Sequence, residues 1–499
     1  MSATLDYPAP VAETLAHLST VTPEIEKAQR AVIDESTRLP VILFYGSAIF
    51  WLLIGSLLAL VASFKLNEPS LLNQWGWLTF GRVRPAHLNA VVYGWASAAG
   101  IGTALWLMAR LCRTPLRHSK LLIGAAVFWN LGVLLGILGI LSGDGRSIEW
   151  LEFPNYASFM LFVAFGLIAV WAIIMFRFRE PGHIYVSQWY LLAAFLWFPW
   201  LYSTANILLN FQPIQGGAQG AVNWWYAHNT LGLWFTPIGL ATAYYLIPKV
   251  LGRPIHSYYL SILGFWSLAL FYSWNGMHHL IGGPFPAWLI SASVVASVMM
   301  FIPVITTAIN HHMTVRGNFE ALKWSPTLRF TVFGAMCYTL ASLQGISMAI
   351  PSLNKVTHFT HYTVGHAHLG LYAFFTMIMF GAMYYILPRV VGWEWPSARL
   401  IRWHFWLVAI GIGMMVVVLT LGGLLQGLAL LDPNITFMAA LDYTKPWLLM
   451  RSVSGLLLTA GHIVFAVSFT LLLLKAGATR TEPTLFVSEH ERQTEPLNA

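Results

Sequence analysis

Residues 364–389 read VGHAHLGLYAFFTMIMFGAMYYILPR, a stretch in which two histidines stand at the head of a long apolar run. About 20 apolar residues are needed to cross a bilayer as a helix, so this stretch is long enough to span a membrane. The whole chain has the same character, because 57% of its 499 residues are hydrophobic and only 9% are charged. Soluble domains do not have this composition, which therefore predicts an all-α integral membrane protein.

Twelve segments reach this length, and they predict a bundle of twelve transmembrane helices. The N-terminal tail, residues 1–38, has mixed charges and no apolar stretch like that of a signal peptide, so we expect the first span to direct insertion. Residues 39–475 then form the membrane domain, and residues 476–499 form a C-terminal tail. The predicted spans are 39–64, 86–110, 121–143, 156–177, 187–208, 224–248, 258–281, 287–309, 326–350, 364–389, 404–428 and 448–474.

Lysines and arginines are unevenly divided between the two sides of this bundle. The tails and the loops after spans 2, 4, 6, 8 and 10 hold about 20 of the 27, and the other loops hold about 7, including Arg84 and Arg451. Because cytoplasmic loops are enriched in these residues, we expect both termini in the cytoplasm and the chain in the inner (cytoplasmic) membrane. This topology explains the net charge of +8. We therefore expect the chain to contact a lipid bilayer and no nucleic acid.

Six of the 17 histidines fall at the outer ends of four predicted helices, at about the same depth. Ionisable groups inside membranes are costly and usually functional, so this cluster predicts a metal or haem centre on the outer side. A lone intramembrane histidine such as His462 is better explained as a structural residue bonded to a neighbouring helix. The six clustered residues are His87, His228, His278, His279, His366 and His368.

Helix geometry restricts how these histidines can share metals. Adjacent residues diverge by about 100°, so His278 and His279 reach one metal only at a helix edge with a third ligand, for which His228 is the natural candidate. Residues two apart diverge by about 200°, so His366 and His368 point to opposite sides and are each available to a separate haem. A second axial ligand for one haem would come from across the bundle, and His87 is the remaining candidate for it. Neutral imidazole suits iron, copper and zinc.

The two cysteines limit the cofactor classes further. Cys112 and Cys337 are far apart and belong to no C-x-x-C or C-x-x-C-H pattern. Covalently attached haem and a cysteine-bound copper pair are therefore excluded.

Five motifs around these histidines carry a family resemblance. They are WLTFGRVRPAHLNAVVYGW at 77–95, HIYVSQWY at 183–190, WWYAHN at 224–229, YSWNGMHHL at 272–280 and HFTHYTVGHAHLG at 358–370. Over about residues 39 to 475 the chain resembles the catalytic subunit of haem-copper oxidases, and within them the cbb3-type cytochrome c oxidases. The resemblance implies the twelve-helix fold of that subunit and a terminal respiratory oxidase that reduces O2 to water, with proton uptake and proton pumping.

The resemblance also implies the cofactors and their ligands. His87 and His368 would ligate a low-spin haem b, His366 would ligate a high-spin haem b, and Arg84 would bind a haem propionate. Arg451 is a weaker candidate for the same task. One copper ion would be held by His228, His278 and His279, and calcium is a further candidate ion.

A tyrosine and a series of hydroxyl groups complete the implied site. Tyr272 lies six residues before His278 on the same predicted helix, and the resemblance implies that it is cross-linked to His228 and supplies an electron and a proton. The implied proton path starts from the cytoplasmic side. The path residues are Thr236, Tyr244, Tyr258, Ser261 and Tyr338.

The resemblance also implies the source of the electrons. They would come from cytochrome c through membrane-anchored c-type cytochrome subunits on the periplasmic face, where the haem ligands lie.

Two positions depart from the family pattern. Gln344 stands where a glutamate is usual, and His361 stands where an aspartate is usual, so two acids of the family are replaced here. A glutamine forms hydrogen bonds but does not titrate as an acid, so the last proton step or its coupling to pumping is affected.

Two other functions compete with this interpretation. Nitric oxide reductases share the fold and the six histidines but lack the tyrosine at the position of Tyr272. A twelve-span secondary transporter would place its polar groups near the membrane midplane around interrupted helices, whereas the histidines here lie at outer helix ends.

Overall fold

The computed structural model of the protein describes residues 23–476, which form a bundle of long helices without a strand in that range. The twelve long helices are α1 (Pro23–Lys65), α2 (Phe80–Cys112), α3 (Ser119–Ser142), α4 (Asn155–Arg177), α5 (Val186–Phe211), α6 (Gly217–Leu251), α7 (Tyr258–Tyr272), α8 (Ala287–Val315), α9 (Pro326–Ala349), α10 (His361–Val391), α11 (Ala398–Leu431) and α12 (Phe437–Leu473). The prediction of an all-α membrane protein is confirmed.

Eleven of the twelve helices of the described part are long and apolar enough to cross a membrane. The exception is α7, which was predicted over 258–281 but ends at Tyr272 after 15 residues. The chain then leaves the helix through Ser273–Gly276 and forms a 3-10 turn at Met277–Leu280. Gly276 has a φ of +115°, which a residue with a side chain rarely adopts, and it directs the chain into this turn.

The other observed helices differ from the predicted spans mostly because they extend further at their ends. The first helix begins at Pro23 rather than at residue 39, so part of the predicted N-terminal tail is helical. This part is polar and contains the i,i+4 pair of Glu26 and Arg30, a spacing that stabilises helices in water. Predicted tail residues 1–22 and 477–499 lie outside the described residues.

Three helices form the centre of the bundle. In the apolar parts of α2, α6 and α10, 94%, 83% and 78% of the residues are buried, against 39% to 50% in the eight other spans. A helix that is apolar and buried on all sides lies inside a bundle, whereas the others expose one face to lipid. The central three carry His87, His228, His366 and His368, so the candidate ligands point into protein.

Small residues allow the helices beside the site to approach closely. A Cβ on Gly427 of α11 would lie 1.8 Å from the carbonyl oxygen of Val356, and one on Gly423 would lie 2.0 Å from the backbone nitrogen of Tyr362. Close backbone approach at glycines is typical of helix packing in membranes. The start of α10, which carries two of the histidines, is therefore packed tightly against α11.

Candidate functional site

His228, His278 and His279 come together where the first half of α6 meets the 3-10 turn that follows α7. One nitrogen from each lies within 4.8 Å of the other two. The rings of His228 and His278 are 4.9 Å apart and nearly perpendicular. Three convergent neutral imidazoles are a donor set that suits copper, so the residues present fit the metal that the sequence predicts.

The turn, and not a helix edge, brings the last two histidines together. A Cβ on Gly276 would lie 2.5 Å from the carbonyl oxygen of Trp224, so glycine is needed for the turn to reach α6. The indole of Trp224 stacks on His279 at 4.3 Å and fixes the plane of that imidazole. The sequence prediction placed His278 and His279 on one helix, and the arrangement instead depends on the left-handed backbone at Gly276.

A hydrogen-bond network orients His278. Ser297 on α8 lies 3.0 Å from Nδ1 of His278, and its hydroxyl donates to the backbone oxygen of Ser293 at 2.7 Å, with Oδ1 of Asn275 as a second acceptor at 3.1 Å. The Ser297 oxygen then accepts from Nδ1–H, which leaves Nε2 for a metal. Such outer partners set the orientation and basicity of metal-binding imidazoles. Sequence reasoning missed Ser297 because it lies on a different helix, and no local pattern identifies it.

Tyr272 lies against His228 at the base of the same site. The two rings are 4.9 Å apart with an angle of 35° between their planes. Both line a cavity of about 100 Å³ together with His278, His366, Thr236 and other residues. The cavity is therefore bordered by the candidate copper ligands on one side and by a candidate haem ligand on the other.

His366 and His368 face different surroundings, although they are two residues apart on α10. His366 lines the cavity, and its ring is 3.0 Å from the position that a Cβ on Gly345 of α9 would occupy. His368 does not line that cavity; its Nδ1 is 2.8 Å from the carbonyl oxygen of Val364. This leaves Nε2 of His368 available on the other side of the helix.

His87 on α2 is held in a similar way. Its Nδ1 lies 2.9 Å from the carbonyl oxygen of Gly55 on α1, which leaves Nε2 free for a metal. His87 interacts electrostatically with His368, so the two imidazoles lie in the same region of the bundle. The structure thus separates the six histidines into two sets. His228, His278 and His366 line the cavity, with His279 beside the first two, and His87 and His368 form the other set.

Each ligand-bearing central helix changes to a π-helix directly after its histidines. The π-helical segments are Ala90–Ser97 after His87, Leu231–Phe235 after His228, and Leu369–Thr376 after His368. Segments of this kind are rare and are frequently found at functional sites. They shift the register of the following helix, which the regular 3.6-residue repeat used for the sequence prediction does not show.

Two arginines lie near His87 and His368. Arg84 forms an ion pair of 3.1 Å with Glu149 and lines an open cavity of about 390 Å³. Arg451 on α12 interacts electrostatically with His87 and His368, and its buried Nε has no hydrogen-bond partner among residues 23–476. A buried guanidinium nitrogen that lacks a partner suits an anionic group such as a haem propionate. The structure therefore makes Arg451, the weaker candidate in the sequence, the better placed of the two.

Glu152 is a buried acid that lines the same cavity as Arg84. The loop before α4 places it beside Asn89, whose Nδ2 donates to Oε2 of Glu152 at 2.8 Å. Burial, with a smaller contribution from the nearby Glu149, raises the pKa of Glu152 to about 7, although the hydrogen bond from Asn89 opposes the shift. Sequence reasoning did not identify this residue.

The hydroxyl groups of the predicted proton path lie on α6, α7 and α9. Thr236 and Tyr338 line the cavity, and the buried hydroxyl of Tyr338 has no partner within the described part of the chain. Asn310 of α8 donates to the hydroxyl of Tyr244 at 3.4 Å. Tyr258 and Ser261 donate to the backbone oxygens of Ile184 and Tyr258, at 2.8 and 2.6 Å.

The two departures from the family pattern lie beside α11. Nε2 of Gln344 donates to the Thr420 hydroxyl at 3.4 Å. The backbone N–H of His361 donates to Oε1 of Gln426 at 2.9 Å. Both positions therefore contact the same neighbouring helix.

Comparison with known proteins gives consistent results. The family model described as Cytochrome C and Quinol oxidase polypeptide I matches residues 40–457. A cytochrome c oxidase subunit 1 homolog of Agrobacterium tumefaciens (strain T37) is 31% identical, covering 86% of this chain and 83% of the relative. The cbb3-type cytochrome c oxidase subunit CcoN1 of Stutzerimonas stutzeri is 32% identical, covering 84% and 91%. A nitric oxide reductase chain of the same organism is 24% identical, covering 91% and 97%.

A solved structure supports the fold. The chain is similar to a cryo-EM structure of a heme-copper terminal oxidase dimer, with a TM-score of 0.71, 16% sequence identity, and coverage of 93% of this chain and 87% of that chain. The predicted family is confirmed, and the oxidases match more closely than the nitric oxide reductase. The chain belongs to the cytochrome c and quinol oxidase polypeptide I family, in its cbb3-type branch, and is a multi-pass membrane oxidoreductase of the haem- and copper-binding group.

Proposed function

We propose that this chain is the catalytic subunit of a cbb3-type oxidase and reduces O2 to water with electrons from cytochrome c, coupled to proton uptake and pumping. The observation that carries the proposal is the convergence of His228, His278 and His279 within 4.8 Å, with the ring of Tyr272 4.9 Å from His228. This arrangement joins a copper donor set to a phenol that can deliver a hydrogen atom.

The proposed cofactors are two haem b groups and one copper ion. His366 would hold the high-spin haem from the cavity side, and His87 and His368 would hold the low-spin haem. When bound, the haem and copper supply the electrons and the open coordination position needed for O2 reduction. Arg84 and Arg451 would bind propionates and orient the haem edges.

Tyr272 is proposed as the catalytic residue. Its hydroxyl would give a proton and its ring an electron to the O2-derived species in the cavity. The proposed cross-link is a bond between a ring nitrogen of His228 and a ring carbon of Tyr272, formed with the loss of two hydrogen atoms to O2 as oxidant. The contact between the two rings supports this bond.

Protons would enter from the cytoplasmic side along Tyr258, Ser261, Tyr244, Thr236 and Tyr338. Thr236 and Tyr338 support the last part of this path, because both line the cavity. Their hydroxyls would hold protons in turn for delivery to the site.

The proposed orientation rests on the charge distribution, and the proposed partners rest on the family. Both termini would lie in the cytoplasm and the haem ligands towards the periplasm of the inner membrane. Membrane-anchored c-type cytochrome subunits would bind on the outer face and deliver electrons to the low-spin haem. Calcium takes oxygen ligands. The cavity lined by Arg84 would supply carboxylate oxygens from Glu149 and Glu152 for this ion.

An optical spectrum with metal analysis tests the proposal. We expect two b-type haems and one copper per chain, and O2 reduction that is abolished by Tyr272→Phe while the haem spectrum is retained. Tyr202→Phe is the matched control, because this buried tyrosine of α5 packs among aromatic rings away from the cavity lining. Non-haem iron in place of copper would support nitric oxide reduction instead. Retained turnover in Tyr272→Phe would refute the role of this tyrosine.

A further inference from the structure

The buried histidine His462 connects three helices. It lies on α12 with 4% of its surface exposed. Its Nδ1 is 2.7 Å from the hydroxyl of Ser56 on α1, and its Nε2 is 2.5 Å from the hydroxyl of Tyr372 on α10. Both ring nitrogens are therefore used, and each joins α12 to a different helix.

One tautomer satisfies every group in this network. The Ser56 hydroxyl lies 2.7 Å from the carbonyl oxygen of Leu52, to which it donates. Its oxygen then accepts from Nδ1–H of His462, and the Tyr372 hydroxyl donates to Nε2. A fully satisfied polar network inside a membrane bundle fixes the positions of its members.

Both partners of His462 lie next to the candidate ligands of the low-spin haem. Ser56 directly follows Gly55, whose carbonyl oxygen is 2.9 Å from Nδ1 of His87. Tyr372 lies four residues after His368, within the π-helical segment. The helices are also close at this point, since a Cβ on Gly55 would lie 2.7 Å from Val91 of α2.

The bond from Nδ1 of His87 to a carbonyl is the kind of contact that tunes a metal site. A ligand imidazole that donates to a backbone oxygen becomes more basic and keeps a fixed ring plane. The strength of that bond depends on where Gly55 is held. The network around His462 holds α1 at the next residue and holds α10 close to the opposite ligand.

On the basis of the proposed function, we propose that His462 is a positioning residue for the low-spin haem. Through Ser56 it fixes the carbonyl that receives the His87 bond, and through Tyr372 it fixes the segment after His368. It sets the orientation of both axial imidazoles, and thereby the reduction potential of the haem, without touching the haem iron.

A neighbouring histidine provides a matched control. His404 on α11 is fully buried, and its Nδ1 lies 2.8 Å from the hydroxyl of Tyr384. It packs against Phe380, as His462 does. Its Nε2 has no hydrogen-bond partner among residues 23–476, and its Nδ1 bonds to Tyr384 and not to Ser56 or Tyr372. His404→Phe therefore removes a comparable buried imidazole outside the network.

The test uses the purified holoenzyme and measures the midpoint potential of the low-spin haem by optical redox titration, with its EPR spectrum. For His462→Phe we expect a higher potential, with at least a threefold change in the reduction equilibrium, which is about 28 mV for one electron. The EPR signal should shift, because the planes of the axial imidazoles change. His462→Asn, which can still reach Ser56, should recover part of the wild-type potential. His404→Phe should leave the potential unchanged.

Two outcomes would overturn the inference. One is an unchanged potential and EPR signal in His462→Phe, and the other is an equal shift in His404→Phe, which would indicate general loosening of the bundle. If His462→Phe does not fold, Ser56→Ala and Tyr372→Phe each delete one hydroxyl of the network, and unchanged potentials in both refute it. A wild-type preparation without a low-spin haem b signal would instead contradict the proposed function.

Discussion

Gly232 lies directly against the ring of Tyr272, so closely that a Cβ on this glycine would stand 1.7 Å from Cε1 of the tyrosine. It follows His228 by one turn, inside the π-helical segment Leu231–Phe235. The tyrosine ring therefore occupies space that any side chain at position 232 would fill. The contact between Tyr272 and His228 depends on this glycine.

Gly232→Ala is expected to displace Tyr272 and to lower O2 reduction strongly while the low-spin haem spectrum is retained. Inserting a methyl group into a packed core costs about 1–3 kcal/mol, and here the ring must move to make room. Turnover and haem content measured on the same preparation test this. Gly166→Ala on α4 is the control, because its Cβ would meet nothing within 4 Å. Wild-type turnover in Gly232→Ala would contradict the proposed position of Tyr272.

The contrast between α10 and the end of α7 shows what the sequence could predict. The separation of His366 from His368 follows from regular helix geometry, and the structure places them in different surroundings. The approach of His278 to His279 does not follow from it, because it depends on a positive φ at Gly276 and on stacking against Trp224. Such contacts between distant segments leave no periodic signal, although the glycine itself was visible within YSWNGMHHL.

Ser297→Ala is expected to weaken copper binding by about 10- to 100-fold, since outer hydrogen-bond partners of metal ligands have effects of this size. The substitution removes the oxygen 3.0 Å from Nδ1 of His278 and leaves that nitrogen only the longer contact of 3.4 Å to the Ser293 hydroxyl. Copper content after dialysis against a graded series of chelator concentrations measures the change. Ser267→Ala on α7 is the control, because its hydroxyl bonds only to helix backbone oxygens. Equal copper retention in the two variants would refute the role of Ser297.

Glu152→Gln is expected to stabilise the protein at alkaline pH. The pKa of Glu152 is raised to about 7 by burial, above the ordinary glutamate value of about 4.3. The folded state therefore holds the proton more tightly than the unfolded state, and stability is lost as the pH rises from about 4 to about 7. The glutamine avoids this cost, which is up to about 3 kcal/mol.

Thermal denaturation in detergent, with divalent cations chelated, tests the effect of Glu152→Gln. The variant should denature at a higher temperature than the wild type at about pH 8.5 and at nearly the same temperature at about pH 4.5. Glu320→Gln is the control, because it removes an exposed ion pair with Lys323, away from Glu152, and offers no such gain. A gain of equal size at both pH values would contradict the assigned origin.

Tyr244→Phe is expected to slow turnover by on the order of 100-fold, as loss of a positioned proton donor does. The buried hydroxyl of Tyr244 accepts from Asn310 at 3.4 Å, and the ring packs 4.6 Å from that of His311, so little else can replace this hydroxyl. Reduction of the low-spin haem needs no proton from this side and should keep its wild-type rate in stopped-flow experiments. Tyr185→Phe is the control, since the Tyr185 hydroxyl donates to the backbone oxygen of Tyr244 at 2.9 Å and lies outside the proposed path. An equal loss of turnover in Tyr185→Phe would show that the loss comes from altered packing around α6. A loss confined to Tyr244→Phe would show that the Tyr244 hydroxyl carries a proton during turnover.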